Sequence, residues 1–217
     1  MTITTNHPIA LDSPDHTHAW GAARDNTRCP AFVKACERYF EERIRSKSFE
    51  IACKIKIAGI RVLDLGCAGG GLVEDFIEAG HDAYGIDGAE AASREAWLRH
   101  PGRFFHADLR HPFNLNANFA IVTAFEVLEH IPEQRLGCLL TSIDVHMRHN
   151  SLFIATISLV PDEVNGVQYH QTVRDADWWR GLLERHGFDL LDSGMFREEE
   201  WPRKEKTSLR VVARRMA

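Results

Sequence analysis

The sequence lacks the features of a membrane protein or a disulfide-rich protein. No apolar run in its 217 residues reaches the ~18 residues typical of a membrane-spanning helix. The N-terminus has no basic stretch followed by an apolar core, so we expect no signal peptide. The five cysteines are odd in number and form no Cys-x-x-Cys pair. This pattern is typical of reduced thiols rather than of a disulfide framework or a zinc site, and it predicts a cytoplasmic protein.

The chain also lacks an excess of positive charge. Its formal net charge is −5, whereas a nucleic-acid-binding surface usually carries a basic patch, so the charge disfavours a nucleic-acid partner. Hydrophobic residues make up 44% and charged residues 26% of the chain, as in ordinary globular proteins. A chain of this length suits one domain with an appendage. The sequence leaves open whether the protein is a monomer or a homodimer.

Three segments of different character divide the chain. Residues 1–27 are polar and without hydrophobic periodicity, which predicts an N-terminal arm with little regular structure. His16 and His18 lie in this arm, but two histidines without further ligands do not make a metal site. Residues 28–57 carry apolar residues at helical spacing, with Pro30 at a first-turn position and a second amphipathic piece at 49–57. Residues 58–217 form the main domain.

A strand, a glycine-rich turn and a helix open the main domain. The apolar, β-branched run from Ile60 to Leu65 predicts a buried strand. The turn after it has the motif Asp64-x-Gly66-x-Ala68-x-Gly70. A helical pattern follows and stops at Gly80. Glycines let a backbone turn tightly and approach a ligand closely, and this arrangement is typical of nucleotide-binding α/β units, dinucleotide-dependent enzymes included.

Strand-like and helix-like segments alternate after this turn. Further strands are predicted over 81–87, 104–108, 119–124, 151–157, 188–195 and 208–213. Helices are predicted over 90–99, 134–147 and 175–186, and a loop over 158–174. The alternation predicts an α/β fold with a doubly wound, mostly parallel sheet. The last two strands follow each other without a helix, so we expect them to pair antiparallel.

Acidic residues stand where successive strands end, which is where a doubly wound sheet binds its ligands. Asp87 lies about 20 residues after Gly66, the usual distance for a carboxylate that accepts hydrogen bonds from a ribose diol. A helix N-cap is the alternative role for Asp87. Asp108 follows the third strand, where a surface turn is the alternative, and Glu126 follows the fourth.

Taken together, these motifs resemble those of the class I S-adenosylmethionine-dependent methyltransferases. The first motif of that family is acid-x-Gly-x-Gly-x-Gly, and Ala68 here replaces the middle glycine. The segment Phe125-Glu126-Val127-Leu128-Glu129-His130-Ile131-Pro132 resembles the one after the fourth strand in small-molecule enzymes, including quinone-precursor and sugar methyltransferases. The resemblance implies S-adenosyl-L-methionine as cofactor. It also implies a Rossmann-like, seven-stranded sheet with one antiparallel strand and helices on both faces.

The resemblance further implies roles for single residues on the cofactor side. The implied cofactor-binding residues are Asp64, Gly66, Cys67, Ala68, Gly70, Asp87, Gly88, Asp108, Leu109, Phe125 and Glu126. In this assignment Asp64 supports the turn and the methionine amino group, Asp87 binds the ribose, and Asp108 accepts from the adenine amino group. The helical segment 28–57 is implied to cap the pocket, and a plain packing helix is the alternative.

The acceptor side is less sharply defined. His130 and His170 are the candidate general bases, because histidine exchanges protons near neutral pH. A packed or solvated histidine is the alternative for His130, and a turn residue is the alternative for His170. Trp178 and Trp179 follow His170 in an arrangement similar to that of polysaccharide and secondary-metabolite methyltransferases, and core anchoring is their alternative role. No compact set of carboxylates or histidines stands out for Mg²⁺ or Zn²⁺, so no metal is expected.

The predicted function is methyl transfer to a small molecule, on a hydroxyl of a sugar or glycan precursor or of a secondary metabolite. A methyltransferase acting on tRNA or protein is the first alternative. The acidic balance and the lack of an Asn-Pro-Pro-Tyr-type tetrapeptide after the fourth strand disfavour it. A non-catalytic cofactor-binding subunit and a dehydrogenase are further alternatives. The acid two residues before Gly66 and the segment around Glu126 disfavour the dehydrogenase.

Overall fold

A computed structural model describes residues 1–5, 27–47, 59–202 and 207–215. The helices are α1 (Pro30–Lys47), α2 (Gly71–Glu78), α3 (Glu90–Arg99), α4 (Glu133–Val145) and α5 (Ala176–Arg185). The strands are β1 (Arg61–Leu65), β2 (Asp82–Asp87), β3 (Phe104–His106), β4 (Phe119–Phe125), β5 (Met147–Ser158), β6 (Glu163–Val164), β7 (Val167–Gln168), β8 (Phe188–Leu191) and β9 (Ser208–Arg215). Short 3₁₀ turns cover Leu128–His130, Ser193–Met195 and Glu198–Glu200. None of the described helices has the length and hydropathy to cross a membrane.

Seven strands form one sheet in the order β3-β2-β1-β4-β5-β9-β8. Only β9 runs against the others, and it pairs antiparallel with both β5 and β8. The predicted doubly wound sheet with one antiparallel strand is therefore confirmed. The strand order reverses between β1 and β4, whose carboxyl ends lie side by side with Leu65 opposite Ala124. This switch point is the place where such sheets bind ligands.

Each face of the sheet carries its own apolar core. Side chains alternate between the faces along a strand, so Val62 packs with α1, α2 and α3, while Leu63 packs with α4 and α5. Helix α1 contributes the fully buried Phe32, whose ring lies 5.3 Å from that of Phe125 and 5.5 Å from that of Phe196, centroid to centroid. Helix α1 thus packs on the sheet, and a role as a cap over a ligand stays a prediction.

Three predicted elements differ from the structure, and local turns explain two of the differences. The predicted loop 158–174 contains the hairpin β6–β7, joined by Asn165 and Gly166 with φ of +54° and +78°. An Asn-Gly pair in left-handed conformation is the usual two-residue hairpin turn, a signal missed in the sequence. The strand predicted over 188–195 ends at Leu191, because the Asp192 side chain accepts from the Gly194 N–H and begins a 3₁₀ turn. The third strand likewise ends early, at His106.

Two predicted segments fall largely outside the described residues. These are most of the N-terminal arm, at 6–26, and the second amphipathic piece of the helical segment, at 49–57. Both described ends of the arm contact the main domain. Thr4 forms a β-bridge with Asn114, and the Thr27 hydroxyl oxygen accepts from the Gly71 N–H at 2.7 Å. The division into arm, cap and main domain stays a prediction.

Candidate functional site

The glycine-rich turn after β1 is fixed by hydrogen bonds and close packing. The N–H groups of Gly66 and Cys67 donate to the Ile86 carbonyl at 2.8 and 3.1 Å, which ties the turn to β2. Gly66 has φ +65°, and a Cβ there would lie 2.5 Å from Cγ2 of Val127. Ala68 also adopts a left-handed φ of +46°. The residue that replaces the family's middle glycine therefore keeps a conformation that glycine adopts most easily.

The remaining two turn residues, Cys67 and Gly70, pack against the sheet. Burial raises the pKa of the Cys67 thiol well above its usual range. Because a thiol must ionise to act as a nucleophile, this burial disfavours a nucleophilic role for Cys67. Gly70 has φ +78° and starts α2, and a Cβ there would lie 2.7 Å from both Ala96 and Phe104. Both the positive φ and the lack of space for a Cβ therefore require a glycine at this position.

Two buried carboxylates hold the turn in place. Asp64 accepts a hydrogen bond from the Thr123 hydroxyl of β4 at 2.6 Å. Asp87 accepts from the Ala68 N–H and from the Ala89 N–H, each at 2.7 Å. The second bond is a local turn just before α3, whose N-cap is Ala89, so Asp87 does not take the N-cap role that was its alternative. Each carboxylate oxygen has a second lone pair, so Asp87 can support the turn and accept from a ligand at the same time.

The acid after β3 is held by a neighbouring arginine. The Asp108 side chain is nearly fully buried, and Nε of Arg110 lies 3.0 Å from each of its oxygens. The backbone N–H of Arg110 donates to the same carboxylate at 2.9 Å. The Leu109 side chain is buried beside it, and Nε2 of His106 lies 2.8 Å from the Gly88 carbonyl. The sequence indicated Arg110 only as part of a surface turn, whereas the structure pairs it with Asp108.

The chain turns sharply after β4. Glu126 has φ +56°, an uncommon conformation for a residue with a side chain, and its N–H donates to the Thr156 carbonyl at 2.9 Å. Oε1 of Glu126 is buried and has no hydrogen-bond partner among the described residues. Strained backbone of this kind concentrates at functional sites. The turn leads into the 3₁₀ segment Leu128–His130.

Three side chains converge beyond this turn. Glu129, His130 and His170 each offer a ligand atom, and these atoms lie within 4.8 Å of one another. The two imidazole ring centroids are 4.9 Å apart. Nδ1 of His170 lies 2.6 Å from the Val160 carbonyl. A carbonyl only accepts, so Nδ1 carries the hydrogen and Nε2 presents a lone pair. The structure thus brings together the two histidines predicted for the acceptor side.

Glu129 is the most deeply buried member of this group. Its Oε1 accepts from the Ser158 N–H at 2.9 Å, while Oε2 has no hydrogen-bond partner in the described part of the chain. Burial raises the pKa of the Glu129 carboxyl well above its usual range, and the charge of Glu126 raises it further. The carboxyl groups of Glu126 and Glu129 therefore interact with each other. Below, Glu126, Glu129, His130 and His170 are termed the Glu/His cluster.

A comparison with protein families identifies the family of the chain. Residues 36–199, about three quarters of the chain, match the model of the family described as "Methyltransferase domain". The chain belongs to this family. Its sheet order and its strand-end acids agree with a class I S-adenosylmethionine-dependent methyltransferase.

Curated relatives of this methyltransferase match over a limited stretch. The ubiquinone biosynthesis O-methyltransferase of Aromatoleum aromaticum is 41% identical over 83 residues, which is 36% of each chain. The protein of the same name from Methylococcus capsulatus is 36% identical over 90 residues, or 38% of each chain. The match thus spans little more than a third of the relatives' length.

Solved structures share the methyltransferase fold at low identity. A methyltransferase from Clostridium acetobutylicum has a TM-score of 0.58 at 12% identity, with 83% of this chain and 92% of that chain covered. Magnesium protoporphyrin IX methyltransferase from Synechocystis has a TM-score of 0.53 at 20% identity, with 81% and 79% covered. These similarities establish the fold of the methyltransferase but do not identify its methyl acceptor.

Sequence reasoning missed one member of the Glu/His cluster. Glu129 was seen only as part of the family segment, although its spacing from Glu126 and its place before His130 were a usable signal. Backbone contacts bring the distant His170 loop alongside, since the Thr172 N–H donates to the Glu129 carbonyl at 2.9 Å. Trp179 is fully buried, which confirms its core role.

Proposed function

We propose that this methyltransferase binds S-adenosylmethionine across the carboxyl ends of β1 to β4, with the residues implied by the family resemblance. The turn from Gly66 to Gly70 would border the methionine part, and Asp87 the ribose. Asp108 and the Leu109 amide would meet the adenine, while the backbone of Phe125 and Glu126 closes the methionine end. The support is that these residues follow neighbouring strands of one sheet edge, at its switch point.

We further propose that the methyl acceptor is a hydroxyl oxygen of a small molecule. The observation that carries this is the position of the Glu/His cluster directly beside the glycine-rich turn. Val127 links the two, because its side chain fills the space in front of Gly66. The curated relatives are O-methyltransferases of ubiquinone biosynthesis, which favours an oxygen acceptor. We propose that this molecule is a sugar or glycan precursor or a secondary metabolite.

The chemistry needs alignment and the loss of one proton. The cofactor carries a methyl group on a sulfonium cation. When bound, the cofactor would supply this methyl group to the acceptor oxygen, with an O–C bond formed, the S–C bond broken and S-adenosylhomocysteine as the leaving group. Holding both reactants in place supplies much of the rate acceleration. A neutral hydroxyl must also give up its proton, and His130 and His170 are the residues that we propose to promote this loss.

A methyl-transfer screen tests this function. The full chain is incubated with tritiated-methyl S-adenosylmethionine and with phenolic, sugar or RNA pools, and label is counted in each product. Label in a phenol or sugar, lost in His170→Ala, is the expected result. His149→Ala is the matched control, because His149 is an exposed histidine at the opposite edge of the sheet, near the start of β5. Label confined to RNA would contradict the proposal.

A further inference from the structure

The Glu/His cluster has the composition of a metal site. Two carboxylates and two imidazoles are oxygen and nitrogen donors that together suit a divalent first-row transition ion such as Mn²⁺, Fe²⁺, Co²⁺ or Zn²⁺. The ligand atoms of Glu129, His130 and His170 already lie within 4.8 Å of one another. That separation allows all three to reach one ion at bond lengths near 2 Å with small side-chain movements.

An independent observation at Glu129 also points to a ligand. Its side chain is fully buried, yet Oε2 has no hydrogen-bond partner among the described residues. Buried polar atoms normally have a partner, because leaving one without costs about 1–3 kcal/mol. Glu126 repeats the pattern with its buried Oε1, and its carboxyl group interacts with that of Glu129.

The histidines are also oriented for metal binding. A metal-ligating histidine usually donates its other ring N–H to a carbonyl or carboxylate, which fixes the tautomer. Nδ1 of His170 has this partner in the Val160 carbonyl. The ring of His130 stands nearly perpendicular to that of His170, at 84°. The 3₁₀ segment that follows the left-handed turn at Glu126 carries Glu129 and His130, which brings both beside His170.

We propose that the Glu/His cluster binds one divalent transition-metal ion, to which the acceptor hydroxyl also binds. This inference rests on the proposed function for its second half, while the ion site stands on the cluster alone. A bound cation lowers the pKa of a coordinated hydroxyl, so that the proton leaves to solvent and the oxygen attacks as an anion. The histidines then act as ligands of the ion, and the ion replaces a histidine base.

Titration with Co²⁺ tests the ion site directly. The full chain is stripped with a chelator, dialysed and titrated with Co²⁺, and the visible absorption of the ion is recorded. The expected result is saturation at one Co²⁺ per chain. Loss of an outer-shell partner typically costs 10–100-fold in metal affinity, so His170→Ala, which removes a ligand, should cost about 100-fold or more. His149→Ala should titrate like the wild type.

Two further variants keep the test falsifiable. Glu129→Gln keeps the shape of the side chain but removes its charge, and it too should weaken Co²⁺ binding about 100-fold. Unfolding curves recorded without metal show whether each variant is folded. A variant with His7, His16 and His18 all changed to Ala removes the histidines of the arm. Saturation that disappears in this variant, or that survives in His170→Ala, would overturn the ion site.

The methyl-transfer assay separates this inference from the proposed function. Stoichiometric Co²⁺ binding without methylation of any small molecule would refute the function and leave the ion site in place. Methylation that persists unchanged after chelation, in a chain that binds no Co²⁺, would refute the ion and leave the function in place. If both the function and the ion site are correct, chelation abolishes methyl transfer and added metal restores it.

Discussion

Replacing Gly70 by alanine tests whether the turn after β1 is as tightly packed as described. Gly70 has φ +78°, and Gly102 has φ +79° in a turn where a Cβ would meet nothing within 4 Å. Both alanine variants therefore incur the same backbone cost, about 1–2 kcal/mol for a left-handed residue with a side chain. Only Gly70→Ala also forces a methyl group to 2.7 Å from Ala96 and Phe104. Overpacking of this kind costs about 1–3 kcal/mol more.

Denaturant unfolding followed by circular dichroism measures the difference. We expect Gly102→Ala to lose about 1–2 kcal/mol of unfolding free energy and Gly70→Ala about 2–5 kcal/mol. Only Gly70→Ala should also weaken binding of S-adenosylhomocysteine, because its methyl group disturbs the proposed cofactor turn. Equal losses in the two variants would refute the packing described around Gly70. Equal cofactor affinities would refute its place in the site.

Three further changes test other parts of the account. Asp87→Ala should weaken binding of S-adenosylhomocysteine by about 1–3 kcal/mol in calorimetry, and unchanged affinity would exclude Asp87 from the site. Burial lowers the pKa of His146 below 6.5, and its Nε2 accepts from the Leu115 N–H. Below pH 6.5 the unfolded chain binds a proton that the folded chain does not, so stability should fall from pH 7 to 5, and less steeply in His146→Gln. The bidentate Arg38 pair lowers the pKa of Glu200 below 4.5. Its contribution is present above pH 4.5 and lost as pH falls through the lowered pKa, so unfolding curves of wild type and Glu200→Gln should converge there.

The glycine-rich turn and the acids at the strand ends could be predicted because their signals are local. A buried strand, a glycine-rich turn and an acid at the strand end lie within a few residues of each other, and the topology rule gives their place in the sheet. The detailed geometry of the turn could not be predicted in this way. Its hydrogen bonds to Ile86 and to the Asp87 carboxylate join residues about 20 positions apart in the chain. Their geometry therefore depends on the folded sheet.

The Glu/His cluster could not be predicted to the same depth, because it is assembled by tertiary contacts. His170 reaches His130 only because an Asn-Gly turn folds the predicted loop into a hairpin and Thr172 bonds to the Glu129 backbone. Trp201 shows the same limit on the other face, since it is fully buried although it lies between the last two predicted strands. The burial of a side chain depends on which other segments pack against it.

Calorimetric titration with S-adenosylhomocysteine, alongside NAD, is the most direct test of the central claim that this sheet edge is a methyltransferase cofactor site. We expect saturable binding of S-adenosylhomocysteine to the wild type, weaker binding to Asp87→Ala, and no heat of binding from NAD. Saturable binding of NAD with no response to S-adenosylhomocysteine would contradict it.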